Sequence, residues 1–489
     1  MHTLYLRLLA LSYLFAFTSL LPQMEALFGP GGLTPTDWLF REATLLAGPS
    51  LYFWQPQLFS LSNLAWAGTF FSLLLFVGIG EWICLPMLYL LYLSLVSVGQ
   101  DFLSYQWDML LLESGFISIL LARAHCIDKR LHKAGFVLLS WLLFRLMFGS
   151  GLVKLFTEDA AHSTWLTLTA LNYHFETQPL PTPLAFFSHS LPVIINKLSC
   201  LATLIIEVML PFFIFKSGKL RTAAALCFLL LQLLIALNGN YGFFNLLTVA
   251  LTVTLFSDGQ VHRAAKLPAV DKILRPAINA VKSKILPERP VPQQAKAPPL
   301  LSAVLLSFAL LQFFASTVAL GTTAFGSEFY SFLPRPVRAF YSVCQSYGMA
   351  NSYGLFASMT TSRPEIIIEG SEDGENFQEY VFRYKVGPVD RPPPLVAPYQ
   401  PRLDWQLWFE ALNSENGPPN LWFLRLMQAL KDNNKEVSGL LEKNPFAGVE
   451  HGPRFLRAKV YDYRFTSPQE LYKTGHWWRR VEKGIYAAL

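Results

Sequence analysis

Nine apolar runs, near residues 4–21, 62–80, 83–98, 102–121, 136–155, 193–215, 222–237, 242–256 and 300–320, leave this chain one kind of environment. A bilayer core takes roughly 20 mostly apolar residues per helix and requires every backbone polar group to be satisfied within the helix. Several runs are short or carry charge. Even so, only 15% of the 489 residues are charged, against about 25% in an ordinary soluble protein. The sequence therefore predicts a polytopic α-helical membrane bundle of about nine transmembrane helices. The run at 4–21 follows a thin positive region at Arg7 but precedes no small-x-small cleavage pattern, so it is read as a retained helix. The second and third runs are separated by little more than Glu81-Trp82, and the seventh and eighth by Asn238-Gly239-Asn240-Tyr241. Both pairs are expected to be tight antiparallel hairpins.

The loops test the count, because the number of helices fixes which of them share a side. Those after the fourth, sixth and eighth helices carry fifteen basic residues, from Arg123 through Lys216 to Lys296. The loops at 22–61, 99–101, 156–192 and 238–241 carry one, Arg41. The asymmetry puts the N-terminus inside and the region after the ninth helix outside. Basic residues confined to short loops give no basic face for nucleic acid, and no nucleic-acid partner is expected. Five cysteines without CxxC or CxxH spacing argue against a disulfide framework or a zinc site.

The predicted domains are a transmembrane bundle at 1–256, a basic cytoplasmic linker at 257–299, the last transmembrane helix at 300–320, and a smaller α+β extramembrane domain at 321–489. Membrane lipid headgroups are the expected partner of the linker. In the outer domain, 365–370 and 378–385 are β-rich runs around an Asp-Gly turn signal and predict a hairpin. Helices are expected from Trp405, near 420–431 and near 434–442, and a strand from Arg457 to Phe465.

Charges inside hydrocarbon cost about 2.5–3.5 kcal/mol each on insertion scales, so each one is a candidate site. Asp108 and Glu113 are five apart, about 140° around a helix, and need not share a face. Arg145 and Lys154 are nine apart, roughly 180° around, and are expected to serve different partners. Glu207 sits among apolar neighbours and is expected to face the bundle interior. Two readings stay open: structural ion pairs, or a polar cavity in which a carboxylate or His174 acts as base. His174 and Glu176 lie in Asn172-Tyr173-His174-Phe175-Glu176-Thr177-Gln178-Pro179-Leu180-Pro181-Thr182-Pro183, a proline-stiffened stretch read as a surface at the outer membrane face. Asn238, Asn240 and Asn245 offer donors and acceptors on the same side. No metal-ligand cluster, Walker loop or G-x-S-x-G is present, and no metal or cofactor is expected.

Gln106-Trp107-Asp108 through Glu113-Ser114-Gly115-Phe116, Arg145 to Gly151, Tyr173 to Pro181, Asn238 to Asn245, Tyr399 to Trp408, Asn444-Pro445-Phe446 and Gly475 to Arg480 together resemble the lipase maturation factor family. The resemblance implies a multi-pass membrane protein that helps secreted lipases, or another exported client, reach their active state, with no catalytic role assigned to the matching residues. It implies the endoplasmic reticulum membrane for a eukaryotic member, whereas the compact chain without an Asn-x-Ser/Thr sequon suits the inner membrane of a bacterium. Trp405, Trp408, Trp477 and Trp478 are the expected client contacts. The bundle is also distantly similar in layout to the vitamin K-dependent carboxylase type, which supplies an enzymatic alternative.

Overall fold

The computed structural model describes residues 1–36, 49–122, 129–156, 163–265, 299–415, 417–449 and 451–489. From residue 266 to 298 the predicted basic linker lies outside the described residues, as does Arg41.

Among the described residues every predicted run is largely helical: His2–Leu20, Leu61–Val77, Glu81–Val96, Gln106–Leu121, Lys129–Leu155, Val193–Phe215, Lys219–Asn238, Phe243–Val253 and Pro299–Phe332. Five cover lengths and compositions that can cross a membrane: His2–Leu20, Arg130–Leu155, Val193–Phe215, Lys219–Asn238 and Ser302–Phe332. About nine crossings are therefore not confirmed. At 1.5 Å per residue, the 17, 16 and 11 residues of Leu61–Val77, Glu81–Val96 and Phe243–Val253 rise roughly 26, 24 and 17 Å, short of a hydrocarbon core of about 30 Å. Phe243, Leu247, Ala250 and Leu251 are fully buried, so the shortest of these helices is surrounded by protein.

The two ends of the bundle hold different contacts. At one end the Met1 ammonium lies 2.5 Å from Asp258 and His2 lies 3.7 Å from Glu81. At the other, Gln23, Phe102, Gln178 and Asn240 all hydrogen-bond to residues beyond 360.

The chain after the ninth run departs from the predicted boundary at 321. Helix Pro299–Phe332 continues past 320, with a break at Gly326, whose φ of +68° ends the first helical segment. Helix Arg335–Ser346 then packs on it through Tyr341 and Cys344, and residues 348–356 thread into the bundle without regular structure. Irregular backbone at this depth needs protein partners. Arg145 and Lys154 supply them, donating to the Asn351 and Leu355 carbonyls at 2.9 and 3.0 Å.

The outer β-structure begins at Pro364. Strands β1 (Pro364–Ser371), β2 (Gln378–Glu379), β5 (Phe455–Phe465) and β6 (Trp478–Ala488) form an antiparallel sheet in the order β2-β1-β5-β6, while β3 (Val381–Phe382) pairs β4 (Leu441–Lys443). The predicted hairpin survives over two residue pairs only, and β1 pairs mainly with β5. The reason is two-sided burial. Ile366 and Ile368 enter the main core, whereas Ile367 joins Val386, Tyr463 and Trp478 on the other face, so β1 is a central strand and requires a long partner. Helices Arg402–Asn413 and Leu421–Lys431 fall as expected, the segment predicted as helix at 434–442 is a four-residue helix leading into β4, and β6 is not predicted.

Candidate functional site

Three carboxylates of the bundle are each matched to a cation. Glu113 is fully buried and accepts from Arg145, from Gln312 at 3.0 Å, from the Asn351 backbone at 3.2 Å and from the Tyr353 hydroxyl at 2.8 Å. Lys154 donates to Glu207 at 2.6 Å, so Arg145 and Lys154 do have different partners. The partner of Asp108 comes from the outer domain: Arg402 grips both its oxygens at 2.6 and 2.7 Å, with the Tyr92 hydroxyl at 2.5 Å. Arg402 is itself fully buried and lies over the rings of Tyr105 and Trp107. A bidentate guanidinium–carboxylate pair fixes orientation as well as distance, so it acts as a key between bundle and outer domain.

A second junction corrects the reading of Asn172 to Pro183 as an open surface. Ala170–Thr177 is a short helix, Pro181 bridges to Gly239, and residues 176–180 are buried. Fully buried Arg363 donates to the carbonyls of Glu176 at 2.7 Å, Gln178 at 2.5 Å and Pro179 at 2.9 Å, and to the Glu365 carboxylate at 2.7 Å. Carbonyls that a proline-rich stretch cannot pair within a helix are thus paired by one side chain. The Glu176 carboxylate accepts from Arg464 and from the Phe465 backbone, both at 3.0 Å, and lies 3.7 Å from His189. Asn240 staples the same junction, donating to the Leu180 and Pro394 carbonyls and accepting from the Val396 and Ala397 N–H groups. Beside it, Gly242 has a φ of +58° and a Cβ there would run into Gln400.

His174 and Glu176 are not brought together. They are two apart on a helix and so point apart, and Glu176 faces the outer domain. The His174 ring packs edge-on against Phe356 with Nδ1 buried and unbonded among the described residues. Burial, with the Lys154 ammonium adding to it, pushes its pKa down to about 4. It is therefore neutral near pH 7. The tryptophans expected to meet a client are engaged as well. Trp405 and Trp478 are buried, Trp408 donates to the Thr177 carbonyl at 2.9 Å, and Trp477 packs on Phe186. Apolar aromatics of this size go to the domain core first.

Below the junction lies a cavity of about 340 Å³. Glu207, Gln232 and Asn245 line one part, Met147, Ile235 and Phe244 another, and Trp405, Trp408 and residues 354–358 close over it. Glu207 sits in a single π-helical turn, Ile205–Met209, a distortion that often marks functional positions. Pro211, four residues on, has no N–H for the Glu207 carbonyl. Gly151 lets helix Lys129–Leu155 approach here, since a Cβ would meet the Glu207 carbonyl carbon at 2.9 Å. Of the predicted site residues, Glu207, Asn245, Trp405 and Trp408 line this cavity, with Lys154 behind Glu207. Asp108, Glu113, Arg145, His174, Glu176, Asn238 and Asn240 do not line it. Asn238 donates to the Leu234 carbonyl of its own helix. Arg363, Gln232 and Asn351 are not singled out by the sequence, because an isolated Arg before a strand and single amides carry no spacing signal.

An apolar bundle with five helices able to cross a membrane, crossed by buried ion pairs and with a strand-containing C-terminal domain keyed onto one end, defines a helical membrane protein with an attached second domain. Residues 1–263 match the lipase maturation factor transmembrane domain, and residues 349–488 match the lipase maturation factor C-terminal domain. The chain belongs to the lipase maturation factor family. It is 33% identical to lipase maturation factor 2 of Homo sapiens over 579 aligned positions, covering 98% of this chain and 80% of that protein. It is 29% identical to lipase maturation factor 1 of Mus musculus, covering 98% and 85%. No solved structure matches it.

Proposed function

We propose that the protein is a membrane-embedded maturation factor that assists the folding or assembly of exported proteins, with lipases the client class its relatives' names indicate. The match of both halves of the chain to the two family domains carries this reading. The keyed junction supports it: Arg402 on Asp108, the Arg363 clamp and Glu176 on Arg464 hold the outer domain in one register on the bundle. On this reading the outer domain faces the compartment that exported proteins enter, the endoplasmic reticulum lumen in a eukaryote or the periplasm in a bacterium. Membrane lipids surround the bundle. The enzymatic alternative has no support from His174 and Glu176, which share no cavity.

Trp405 and Trp478 are buried and Trp408 and Trp477 only partly exposed, so the surface favoured is the sheet edge at β6. It is eleven residues long, carries Val481 and Ile485 at 66% and 61% exposure, and flanks a groove of about 430 Å³ that includes Tyr461, Lys483 and Tyr486. An exposed edge offers backbone hydrogen bonds to an extended chain. Two register slips against β5 and the Lys483 charge limit indiscriminate pairing.

The test is photo-crosslinking in native membranes from probes placed singly at Val481 and Ile485, followed by identification of what is captured. Secreted hydrolases are the expected catch. Capture of none from either position, with the protein normally inserted, sinks the β6 assignment. Capture of none from any outer-domain position sinks the maturation reading itself.

A further inference from the structure

The Glu207 cavity holds polar atoms that the protein does not use. Lys154 has three N–H groups and spends all of them, on Glu207 Oε2 at 2.6 Å, the Ser150 carbonyl at 3.0 Å and the Leu355 carbonyl at 3.0 Å. Glu207 Oε1 is then left without a hydrogen bond among the described residues. Gln232 Oε1 accepts from Asn245 Nδ2 at 2.9 Å. That leaves the Gln232 amide N–H groups without an acceptor, and Asn245 Oδ1 without a donor, among the described residues. Glu207, Gln232 and Asn245 are only 7%, 6% and 8% exposed, and all three line the cavity. All three unpaired atoms open onto the cavity, so their partners must come from whatever fills it.

Their chemistry narrows the ligand. Among the described residues the free set includes two acceptors, Glu207 Oε1 and Asn245 Oδ1, and the donors Gln232 Nε2 and the indole N–H groups of Trp107 and Trp405, with no cationic N–H to spare. An anionic head would meet the Glu207 carboxylate with no uncommitted cation against it. A hydrocarbon would leave every polar atom unpaired. Hydroxyls both donate and accept, and two neighbouring hydroxyls satisfy the acceptors while one of them accepts from Gln232. Leu146, Met147, Ile235 and Phe244 make an apolar part of the remaining wall. The volume of about 340 Å³ corresponds to on the order of eleven groups the size of a water molecule. It accommodates a small polar head and the start of one chain, the rest of the chain extending beyond it.

We propose that this cavity binds a neutral single-chain lipid head-first, the head being a glycerol with free hydroxyls, as in a monoacylglycerol. The test uses the full chain in phosphatidylcholine nanodiscs and a monoacylglycerol carrying a diazirine near the head of its acyl chain, with labelled peptides mapped after irradiation. Label is expected on peptides containing Met147 or Phe244. Unlabelled monoacylglycerol should displace it at least about tenfold more effectively than the fatty acid of the same length. Gln232→Leu and Asn245→Leu should each weaken binding about tenfold, the effect of losing one well-made hydrogen bond at 1.4 kcal/mol per factor of ten. Should either variant fail to fold, Ile235→Trp fills the cavity from its apolar side and is expected to abolish the label. Label spread over the outer faces of the helices, equal displacement by the fatty acid, or label unchanged by Ile235→Trp in folded protein would each overturn the assignment.

Discussion

Glu113 and Glu207 are both carboxylates buried in the bundle, and each has one cation. Glu113 accepts from Arg145, Gln312, Asn351 and Tyr353, so both its oxygens are committed. Among the described residues Glu207 accepts from Lys154 alone, and it lines a cavity. The difference lies in what packs alongside. Residues 348–356 fold into the bundle next to Glu113 and bring their own donors, whereas the π-turn at Ile205–Met209 lifts Glu207 off a regular helix and leaves space beside it. Saturation marks the first as a structural joint and incompleteness marks the second as a binding place. The Asp108–Arg402 pair belongs with the first, since two guanidinium donors and a tyrosine hydroxyl complete it.

The comparison predicts a graded series of losses. Arg402→Met strands a buried carboxylate and is expected to cost about 3–5 kcal/mol, seen as lost yield and protease-sensitive outer domain. Adding Asp108→Asn should recover most of the loss, and a double variant no better than the single would show that the pair is not the joint. Next, Glu113→Gln should lower thermal stability by about 3 kcal/mol, because it orphans Arg145 among committed partners. Glu207→Gln should cost only about 1–2 kcal/mol, because Lys154 retains two carbonyls and open space is already present. Equal losses from these two changes would erase the distinction between joint and pocket.

Acidification probes the region between them. His174 is held neutral, with its pKa pushed down to about 4 from an ordinary value near 6.5. The unfolded chain therefore takes up this proton first. The contribution to stability is complete above about pH 6.5 and is lost as pH falls toward 4, by at most about 3 kcal/mol. Unfolding temperature measured across that range should show the decline, and His174→Gln should flatten it. Smallest in stability is Ile485→Asp on the exposed edge, expected within about 0.5 kcal/mol. Its effect should instead appear as less active lipase secreted at unchanged levels of the factor.

Much of the bundle was legible in the sequence because apolar length and loop charge are local signals. The helices at 4–21 and 193–215 could be read directly, and Gln23 and Asn240, on loops expected to share a side, both bond to residues 394–400. Membrane crossings were harder, since an 11-residue helix enclosed by protein, such as Phe243–Val253, is as apolar as a short span. For the candidate site, Glu207 and Asn245 were visible as polar residues in apolar surroundings, whereas Gln232, one amide on a helix, was not. Asp108 was visible but its partner was not, for Arg402 lies 294 residues further on and only folding brings them together. The tryptophans were visible by type, but which of them turn inward depends on β1 being central and β6 being an edge, an arrangement no local pattern encodes.

The reach from Arg402 back to Asp108 also sets an order of events during synthesis. A ribosome adding roughly 5–20 residues per second needs about 15–60 seconds to pass from one to the other. Through that interval the carboxylate sits in an apolar helix with its guanidinium still unmade. The nascent bundle must therefore wait in an unfinished form, with Asp108 shielded by water or by the insertion machinery, until the last fifth of the chain emerges and closes it.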